Sequence, residues 1–185
     1  MAYYTQDELI NLGLKTFGNN VFISNKCSVY NAKNISIRDN VRIDDFCVLS
    51  AGDGGIEIGS FIHIGVYTSI IGGGKVVLHD FCNISSKVAI YSSNDDYSGE
   101  FMTNPMVPVE LTNVKREDVI IKEHVIIGSG TVILPGTIME IGSAIGALSL
   151  VSGLIPQFEI FAGIPAKFLK NRNRNLIKIE SEIIK

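Results

Sequence analysis

The chain contains 185 residues, 46% of them hydrophobic, and carries a formal net charge of −3. This length fits one domain with a sizeable core, and the near-neutral charge argues against nucleic-acid binding by the whole chain. The sequence has no apolar run of about 18 residues and no basic segment leading into an apolar one, so we expect a cytoplasmic protein without a membrane span or secretory signal.

Residues 1–20 are expected to form an N-terminal cap. Thr5 is followed three residues later by Glu8, which is the spacing of a helix capping box. Leu9 and Leu12 follow as apolar side chains for burial. A stack of strands has exposed edges at its ends, so a short helix here would cover one of them.

Beyond the cap, aliphatic residues recur every six positions, through residues 21–94 and again through residues 119–165. One hexad suits a short strand and a turn, and three hexads close one coil, so stacked coils bury a continuous aliphatic column. We therefore predict about five coils of parallel β-structure. The positions that lead the hexads are Ile23, Val29, Ile35, Ile37, Ile43, Leu49, Ile58, Ile64, Ile70, Leu78, Ile84, Ile90, Ile121, Ile127, Ile133, Met139, Ile145 and Val151.

The fourth position after most hexad leaders holds a small or β-branched residue, and all three cysteines fall there. Cys27, Cys47 and Cys82 form no CxxC pair, and their odd number argues against a disulfide framework. We interpret them as small fillers of a narrow core rather than as redox or metal groups.

Residues 95–118 interrupt the repeat with acidic, aromatic, glycine and proline residues. A segment of this length without regular structure in a compact domain is usually functional. We predict a protruding loop in which Tyr97, Phe101 and Met102 form apolar walls of an acceptor pocket. The alternative is an arm that contacts another subunit and has no substrate role.

Residues 166–185 are predicted to form a C-terminal helix, because Phe168, Leu169, Leu176 and Ile177 fall at apolar positions. This segment carries a basic cluster that consists of Lys167, Lys170, Arg172, Arg174 and Lys178. Such a cluster fits either the phosphates of a bound ligand or a solvated helix face.

The hexads, with units such as "IGSGTV", and the ending "ILPG…IGALSLV…AGIPAK" resemble the hexapeptide-repeat acyltransferases, in particular the galactoside, maltose and xenobiotic acetyltransferase group. The resemblance covers residues 20–170. It implies an all-β protein, a left-handed parallel β-helix with a protruding loop and a C-terminal α-helix. It also implies acetyl-CoA as the acyl donor, and a homotrimer with active sites in the clefts between neighbouring subunits.

The loop sequence "DDYSGEFMTNPMVP" looks like the branch of this family that modifies lipopolysaccharide and O-antigen sugars. That likeness implies a nucleotide-linked amino sugar as the acceptor. A sugar hydroxyl is the alternative acceptor, since the sequence does not distinguish N-acetylation from O-acetylation.

The resemblance also assigns residues to coenzyme A. Lys167 in "AGIPAK" matches the family's phosphate-contacting position, Lys170 lies close to it in the sequence, and Gly163 and Pro165 shape the turn that admits the pantetheine arm. The matching positions along the arm are Ser129, Ala147 and Ser152. Relatives often carry Thr-Lys where this chain has Ser-Gly at 152–153, so one phosphate contact is expected to be missing.

The general base is the point where the sequence departs from the family. In the galactoside-type relatives the catalytic histidine falls five residues after a hexad leader, and here Asp95 stands five residues after Ile90. His63 also stands five residues after a leader, Ile58, so we expect it to point outward at a corner of the coil. Our first choice for the base is His63, with Asp95 of a neighbouring subunit orienting it. Asp95 itself, or His124, or no side chain at all, are the alternatives.

The acceptor is expected to contact Asp96, Tyr97 and His124. Asp96 would bind the amino group of the sugar, Tyr97 would line the pocket, and His124 precedes "VIIGSG" near the donor groove.

Two other functions use the same repeat. A carbonic-anhydrase-like enzyme needs three histidines at a fixed spacing for zinc, whereas His63, His79 and His124 lie 16 and 45 residues apart (79−63 and 124−79) without a cysteine or carboxylate cluster nearby. We therefore expect no metal. A non-catalytic hexapeptide scaffold is the remaining alternative, since the usual histidine is absent at position 95.

Overall fold

The computed structural model describes residues 2–183 and forms a left-handed parallel β-helix whose coils have three sides. The first sheet contains seven strands, namely β1 (Thr16–Phe17), β4 (Ile35–Ile37), β7 (Ile56–Ile58), β10 (Val76–Leu78), β15 (Val119–Ile121), β18 (Ile138–Met139) and β21 (Leu154–Ile155). The second contains β2 (Val21–Ile23), β5 (Val41–Ile43), β8 (Ile62–Ile64), β11 (Asn83–Ile84), β16 (Ile126–Ile127), β19 (Ala144–Ile145), β22 (Glu159–Ala162) and an antiparallel β23 (Lys167–Asn171). The third contains β3 (Ser28–Tyr30), β6 (Val48–Ala51), β9 (Ser69–Gly72), β12 (Ala89–Tyr91), β17 (Val132–Ile133) and β20 (Leu150–Val151).

The expected count of about five coils is too low, because the first sheet has seven strands. The strands β1 and β21 lie outside the sequence of hexad leaders, so the hexads alone missed both ends of the stack. A short 3-10 helix, Ala32–Asn34, replaces a tight turn in the lower part.

The core is the aliphatic column that the hexads predict. All hexad leaders are buried except Val29, which is half-buried. The three cysteines are buried beside them, and burial raises the pKa of the Cys27 and Cys82 thiols to about 12 and that of Cys47 to about 11. The thiols therefore stay protonated and fill space, as the sequence indicated.

The N-terminal cap is confirmed as a helix, α1 (Gln6–Asn11). Thr5 N donates to Glu8 Oε2 at 2.7 Å, and Glu8 N donates to Thr5 Oγ1 at 3.4 Å, which completes the capping box. Leu9 is buried against the core, so the helix covers the open end of the first coils.

Side chains stack at the corners of the coils, where single residues adopt positive φ. Phe61, Phe81 and His124 form one column between the first and second sheets, with ring centroids 4.9 and 5.0 Å apart. Phe46 and Tyr67 stack at 5.0 Å between the second and third sheets. Such left-handed turns are unfavourable for aromatic residues, and stacking between coils offsets part of that cost.

The chain leaves the coil after β12 and returns before β15. Two short antiparallel strands, β13 (Ser93–Asn94) and β14 (Lys115–Arg116), form the base of the protruding loop, and a 3-10 helix, Val109–Leu111, lies near its tip. Glu117 N donates to Ser92 O at 3.1 Å, which brings the two ends of the loop together.

The C-terminal helix is shorter than predicted. The helix α2 spans Leu176–Ile183, whereas the residues from 167 to 171 form β23, and residues 184–185 of the predicted helix lie outside the described part. The physical reason is the edge of β22, whose backbone groups need partners that an antiparallel strand supplies. Phe168 also packs edge-on against Phe161, with ring centroids 5.9 Å apart. Neither α1 nor α2 has the length and apolar character that a bilayer span requires.

Candidate active site

A column of small residues runs along the corner between the second and third sheets. Backbone hydrogen bonds between consecutive coils determine which residues stack in this column: Ser85 N donates to Ile127 O at 3.0 Å, and Gly128 N donates to Ile145 O at 2.8 Å. From the bottom upward the column contains Gly65, Ser85, Gly128, Gly146 and Ala162. The residues that follow them in the chain form a second row, which contains Val66, Ser86, Ser129, Ala147 and Gly163. A Cβ atom at Gly128 would collide with the Ala147 backbone, so the corner must stay narrow there.

Several residues assigned to coenzyme A fall on this column. Ser129 and Ala147 are exposed on adjacent coils, and Gly163 continues the row on the next one. Gly163 N donates to Ser149 Oγ at 3.0 Å, and the cis peptide before Pro165 turns the chain into β23. The structure thus brings four of the predicted positions to one corner.

The other donor residues are spread further apart. Lys167 lies opposite Ala162 in the antiparallel pair, next to the top of the column, and Lys170 lies opposite Ile160, farther along β23. Ser152 follows β20 and therefore lies on the far side of the third sheet, away from the column.

The lower end of the column meets a charged network. Asp44 N donates to Ile64 O at 3.0 Å, which places Asp44 directly below Gly65. Asp44 Oδ2 lies 2.8 Å from His63 Nε2, and Asp44 Oδ1 lies 3.0 Å from Arg42 Nε. Arg42 Nη2 lies 2.8 Å from His63 Nε2. The small-residue corner therefore ends at an imidazole held by a carboxylate.

His63 does not occupy the corner that the sequence suggested. It lies in β8, on the outer face of the second sheet, while Phe61 with φ of +57° forms the corner two residues earlier. The spacing of five residues after Ile58 predicted the outward direction correctly, but the turn after that leader is shorter than assumed.

Asp95 lies on a different side of the same chain. It follows β13 and is exposed at the loop, beside a cleft of about 270 Å³. No other described residue pairs with its carboxylate in the range 2–183. The apolar wall of this cleft is formed by Val107, Val109 and Val114.

The predicted wall residues of the loop point elsewhere. Tyr97 is 88% exposed, Phe101 and Met102 are also exposed, and none of the three lines the cleft. The wall differs from the expectation because the segment around the 3-10 helix Val109–Leu111, and not the segment around Tyr97, borders the cleft.

The Asp96 carboxylate holds the loop together. Its Oδ1 accepts hydrogen bonds from Ser98 N at 2.7 Å and from the Ser98 hydroxyl, and its Oδ2 accepts from Asn113 Nδ2 at 2.8 Å. The side-chain and backbone hydrogen bonds from Ser98, followed by the one from Asn113, lower the pKa of Asp96. An acceptor amine would have to compete with these partners for the carboxylate.

His124 is covered by the C-terminal helix. Its Nε2 lies 2.9 Å from Glu180 Oε2, and its side chain is 9% exposed. The ring stacks on Phe81, and its backbone oxygen accepts from Arg172 Nη1 at 2.8 Å. These contacts make His124 a structural residue in the single chain and leave it without an open route to a substrate.

Two arginines of the predicted basic cluster are engaged in the fold. Arg172 Nη1 donates to the carbonyl groups of His124, Gly142 and Ser143 at 2.8, 3.0 and 3.3 Å, and burial lowers the pKa of its guanidinium. Arg174 lies over the Phe158 ring, 4.7 Å from the centroid. Both side chains fasten the C-terminal segment instead of projecting freely toward a ligand.

The residues that sequence reasoning missed are Arg42 and Asp44. Arg42 precedes His63 by 21 residues, which is one coil, so the signal for this pair is the match between outward positions of consecutive coils.

Within residues 2–183, no group of three or more histidine, cysteine, aspartate or glutamate side chains is arranged to hold a metal ion.

Comparisons with known proteins bear on this geometry. No protein-family model matches the chain. The chain is 54% identical to the dTDP-4-amino-4,6-dideoxy-D-glucose acyltransferase of Escherichia coli over 181 residues, which are 98% of this chain and 94% of that protein.

Solved structures of acyltransferases are also similar to the chain. AntD, an N-acyltransferase from Bacillus cereus in complex with dTDP and 3-hydroxybutyryl-CoA, is 41% identical, with a TM-score of 0.93, covering 100% of this chain and 97% of that one. A serine variant of AntD is solved with dTDP-4-amino-4,6-dideoxyglucose and coenzyme A. A galactoside acetyltransferase in complex with coenzyme A is 20% identical, with a TM-score of 0.60, covering 94% of this chain and 72% of that one, and shares the fold.

Proposed function

Because the chain belongs to the hexapeptide-repeat family of CoA-dependent acyltransferases, we propose that it transfers an acyl group from acetyl-CoA to the amino group of a dTDP-4-amino-4,6-dideoxy sugar. The observation that carries this proposal is the column of small residues that ends at His63 and Asp44. A narrow groove of exposed backbone suits an extended pantetheine arm, and a histidine at its end suits proton transfer at the thioester.

In this proposal coenzyme A lies along Ser129, Ala147 and Gly163. The exposed amines of Lys167 and Lys170 meet its phosphates, since both lie on β23 beside the upper end of the column. Ser152 lies too far around the coil to line the same groove, so its contact would come from the neighbouring cleft of an oligomer.

The acceptor amine would approach from the loop side. Asp95 offers an exposed, unpartnered carboxylate beside an apolar cleft, which suits the ammonium group and the methyl-bearing ring of a dideoxy sugar. Asp96 would act indirectly by shaping the loop, because its carboxylate is already occupied. Tyr97 is exposed enough to contact a neighbouring subunit or the nucleotide.

We place these parts in a homotrimer. His63 lies on the second sheet and Asp95 follows the third, so one chain does not bring them to one corner. Neighbouring subunits of a trimer would set the loop of one chain against the column of the next. We also propose that the product serves lipopolysaccharide synthesis, as the loop sequence "DDYSGEFMTNPMVP" suggests, and that the reaction takes place in the cytoplasm.

The experiment that tests the function is a turnover assay with two donors and two acceptors. We expect acetyl-CoA to acylate dTDP-4-amino-4,6-dideoxyglucose, and 3-hydroxybutyryl-CoA, which AntD binds, is the second donor to compare. Release of free thiol and the mass of the product report the reaction. dTDP-glucose is the matched acceptor with a hydroxyl in place of the amine.

The acceptor arms separate the alternatives. Turnover only with dTDP-glucose would support O-acetylation and contradict the amino-sugar assignment. Absence of turnover with every combination, in a sample that still binds coenzyme A, would favour the non-catalytic scaffold.

A further inference from the structure

At the lower end of the column, the contacts of Arg42 and Asp44 with His63 determine which imidazole nitrogen carries the hydrogen. Asp44 is 7% exposed, its Oδ2 lies 2.8 Å from His63 Nε2, and its Oδ1 lacks an aligned hydrogen-bond donor although Arg42 Nε is 3.0 Å away. The His63 side chain is 38% exposed. All described contacts of the imidazole within residues 2–183 are made through Nε2.

We propose that Asp44 is a positioning residue, which holds His63 as the tautomer with hydrogen on Nε2 and leaves Nδ1 as the atom that accepts the proton during acyl transfer. This inference rests on the proposed function, because it assigns a role within that reaction. Arg42 has the supporting task of balancing the charge of the Asp44 carboxylate.

The tautomer follows from the two contacts of Nε2. A carboxylate can only accept a hydrogen bond and a guanidinium can only donate one, so Nε2 cannot satisfy Asp44 and Arg42 together. If Nε2 lacked a hydrogen, its lone pair would face the Asp44 oxygen at 2.8 Å, and Asp44 is too buried to move away. If Nε2 carries the hydrogen, the poor contact is with Arg42 Nη2, and the Arg42 side chain is 48% exposed, so this end of the guanidinium can shift toward solvent. The second arrangement costs less.

The groups around the His63 imidazole come from the two strands that flank β8. On one side β5 presents Arg42 and Asp44, and on the other side β11 presents Asn83, which is neutral. Asp45 is turned toward Ser24 and Lys26, at 2.5 and 3.2 Å, and does not face the imidazole. When His63 accepts a proton, the negative charge of Asp44 is therefore the nearest compensating charge.

The proton balance of the step is simple. The neutral amine nitrogen bonds to the thioester carbonyl carbon, and the carbon–sulfur bond breaks as the thiolate of coenzyme A leaves. The proton lost by that nitrogen passes to His63 Nδ1 and then to the departing sulfur. The products are the amide and the free thiol, and His63 returns to its starting tautomer.

The direct test is the tautomer of His63 in the intact protein. The chain has only 3 histidines, so two-bond nitrogen–hydrogen correlation spectra of protein labelled with ¹⁵N-histidine resolve each ring, and the His63→Gln spectrum identifies the His63 signals. We expect a hydrogen on Nε2 and a lone pair on Nδ1 at neutral pH. A hydrogen on Nδ1 instead would overturn the proposal, whether or not the enzyme acylates the sugar.

Kinetics of Asp44→Asn provides the second readout. Because the amide also donates, the fixed tautomer is lost, and we expect kcat to fall by about 10²- to 10⁴-fold, the range of a positioned base, with the KM for acetyl-CoA unchanged. The matched control is His79→Gln, since His79 pairs with Glu123 at 3.3 Å on the first sheet, away from the column, and its loss should leave kcat unchanged.

The two readouts keep this inference separate from the proposed function. Wild-type protein that fails to acylate the amino sugar contradicts the function, while the spectrum still decides the tautomer. An Asp44→Asn protein that keeps wild-type kcat and the Nε2 hydrogen would overturn the role of Asp44. If that variant does not fold, the wild-type spectrum alone decides.

Discussion

Lys167 is the side chain that we propose connects the coil to its acyl donor. It is exposed and lies on β23 opposite Ala162, next to the top of the small-residue column. Arg172 and Arg174, its neighbours in the basic cluster, are engaged with backbone carbonyls and with Phe158. Of the cluster, Lys167 is therefore the best placed to meet a phosphate.

We expect Lys167→Glu to weaken coenzyme A binding by about 1–3 kcal/mol, the scale of a charge-assisted hydrogen bond, since the substitution replaces a donor by a like charge facing the phosphate. Isothermal titration calorimetry measures the change. Lys33→Glu is the control, because Lys33 is exposed near the opposite end of the first sheet. Equal affinity in Lys167→Glu and wild type would rule out Lys167 as a phosphate contact.

Among the elements, the C-terminal segment is attached to the coil in part by the side chain of Arg172. Arg172 donates to three carbonyl groups at the corner between the first and second sheets, those of His124, Gly142 and Ser143. Ser143 O also accepts from Ile126 N at 3.3 Å. The strand β23 and the helix α2 flank this contact on either side. Glu180 adds a second attachment through His124.

Replacing Arg172 by Met should lower the free energy of unfolding by about 1–3 kcal/mol, because the carbonyl groups of His124 and Gly142 lose the guanidinium as their donor. Faster hydrogen exchange in α2 and a lower midpoint of thermal unfolding would report it. Arg174→Met removes only a cation–π contact and should cost about 0.5–1 kcal/mol. A larger loss in Arg174→Met than in Arg172→Met would contradict this ranking.

The sequence predicted the coils well because their period is local. Ile58, Ile64 and Ile70 are buried since each hexad repeats the same inward position. It could not predict β23, because "KFLKN" carries no strand period and pairs only with the free edge of β22. Likewise, the partner of His63 lies 19 residues earlier, and only the register of β5 with β8 brings Asp44 to it.

At the scale of the whole molecule, the protruding loop exposes more apolar surface than a monomer favours. Tyr97, Met106 and Val109 are 88, 90 and 79% exposed. Exposed apolar clusters usually mark contact surfaces. The loop of one subunit covering the column of the next would bury these side chains and complete the proposed site.

We expect native mass spectrometry at micromolar concentration to give three times the chain mass of 20.1 kDa. Met106→Asp should shift the protein toward smaller species, because a charge would enter the interface. Ile10→Asp is the control, since Ile10 is 58% exposed on α1, away from the loop. A monomeric wild-type mass would count against a site shared between subunits.

The way the loop is attached affects how such enzymes can diversify. Ser92 and Glu117 are joined by a backbone hydrogen bond, so the 24 residues between them (117−92−1) enter and leave the coil at one point. A segment inserted in this way can change length and composition over evolutionary time without disturbing the buried aliphatic column. Recognition of the acyl donor would be inherited with the coil, whereas recognition of the acceptor could change with the inserted loop. Proteins with the same coil could therefore act on different sugars.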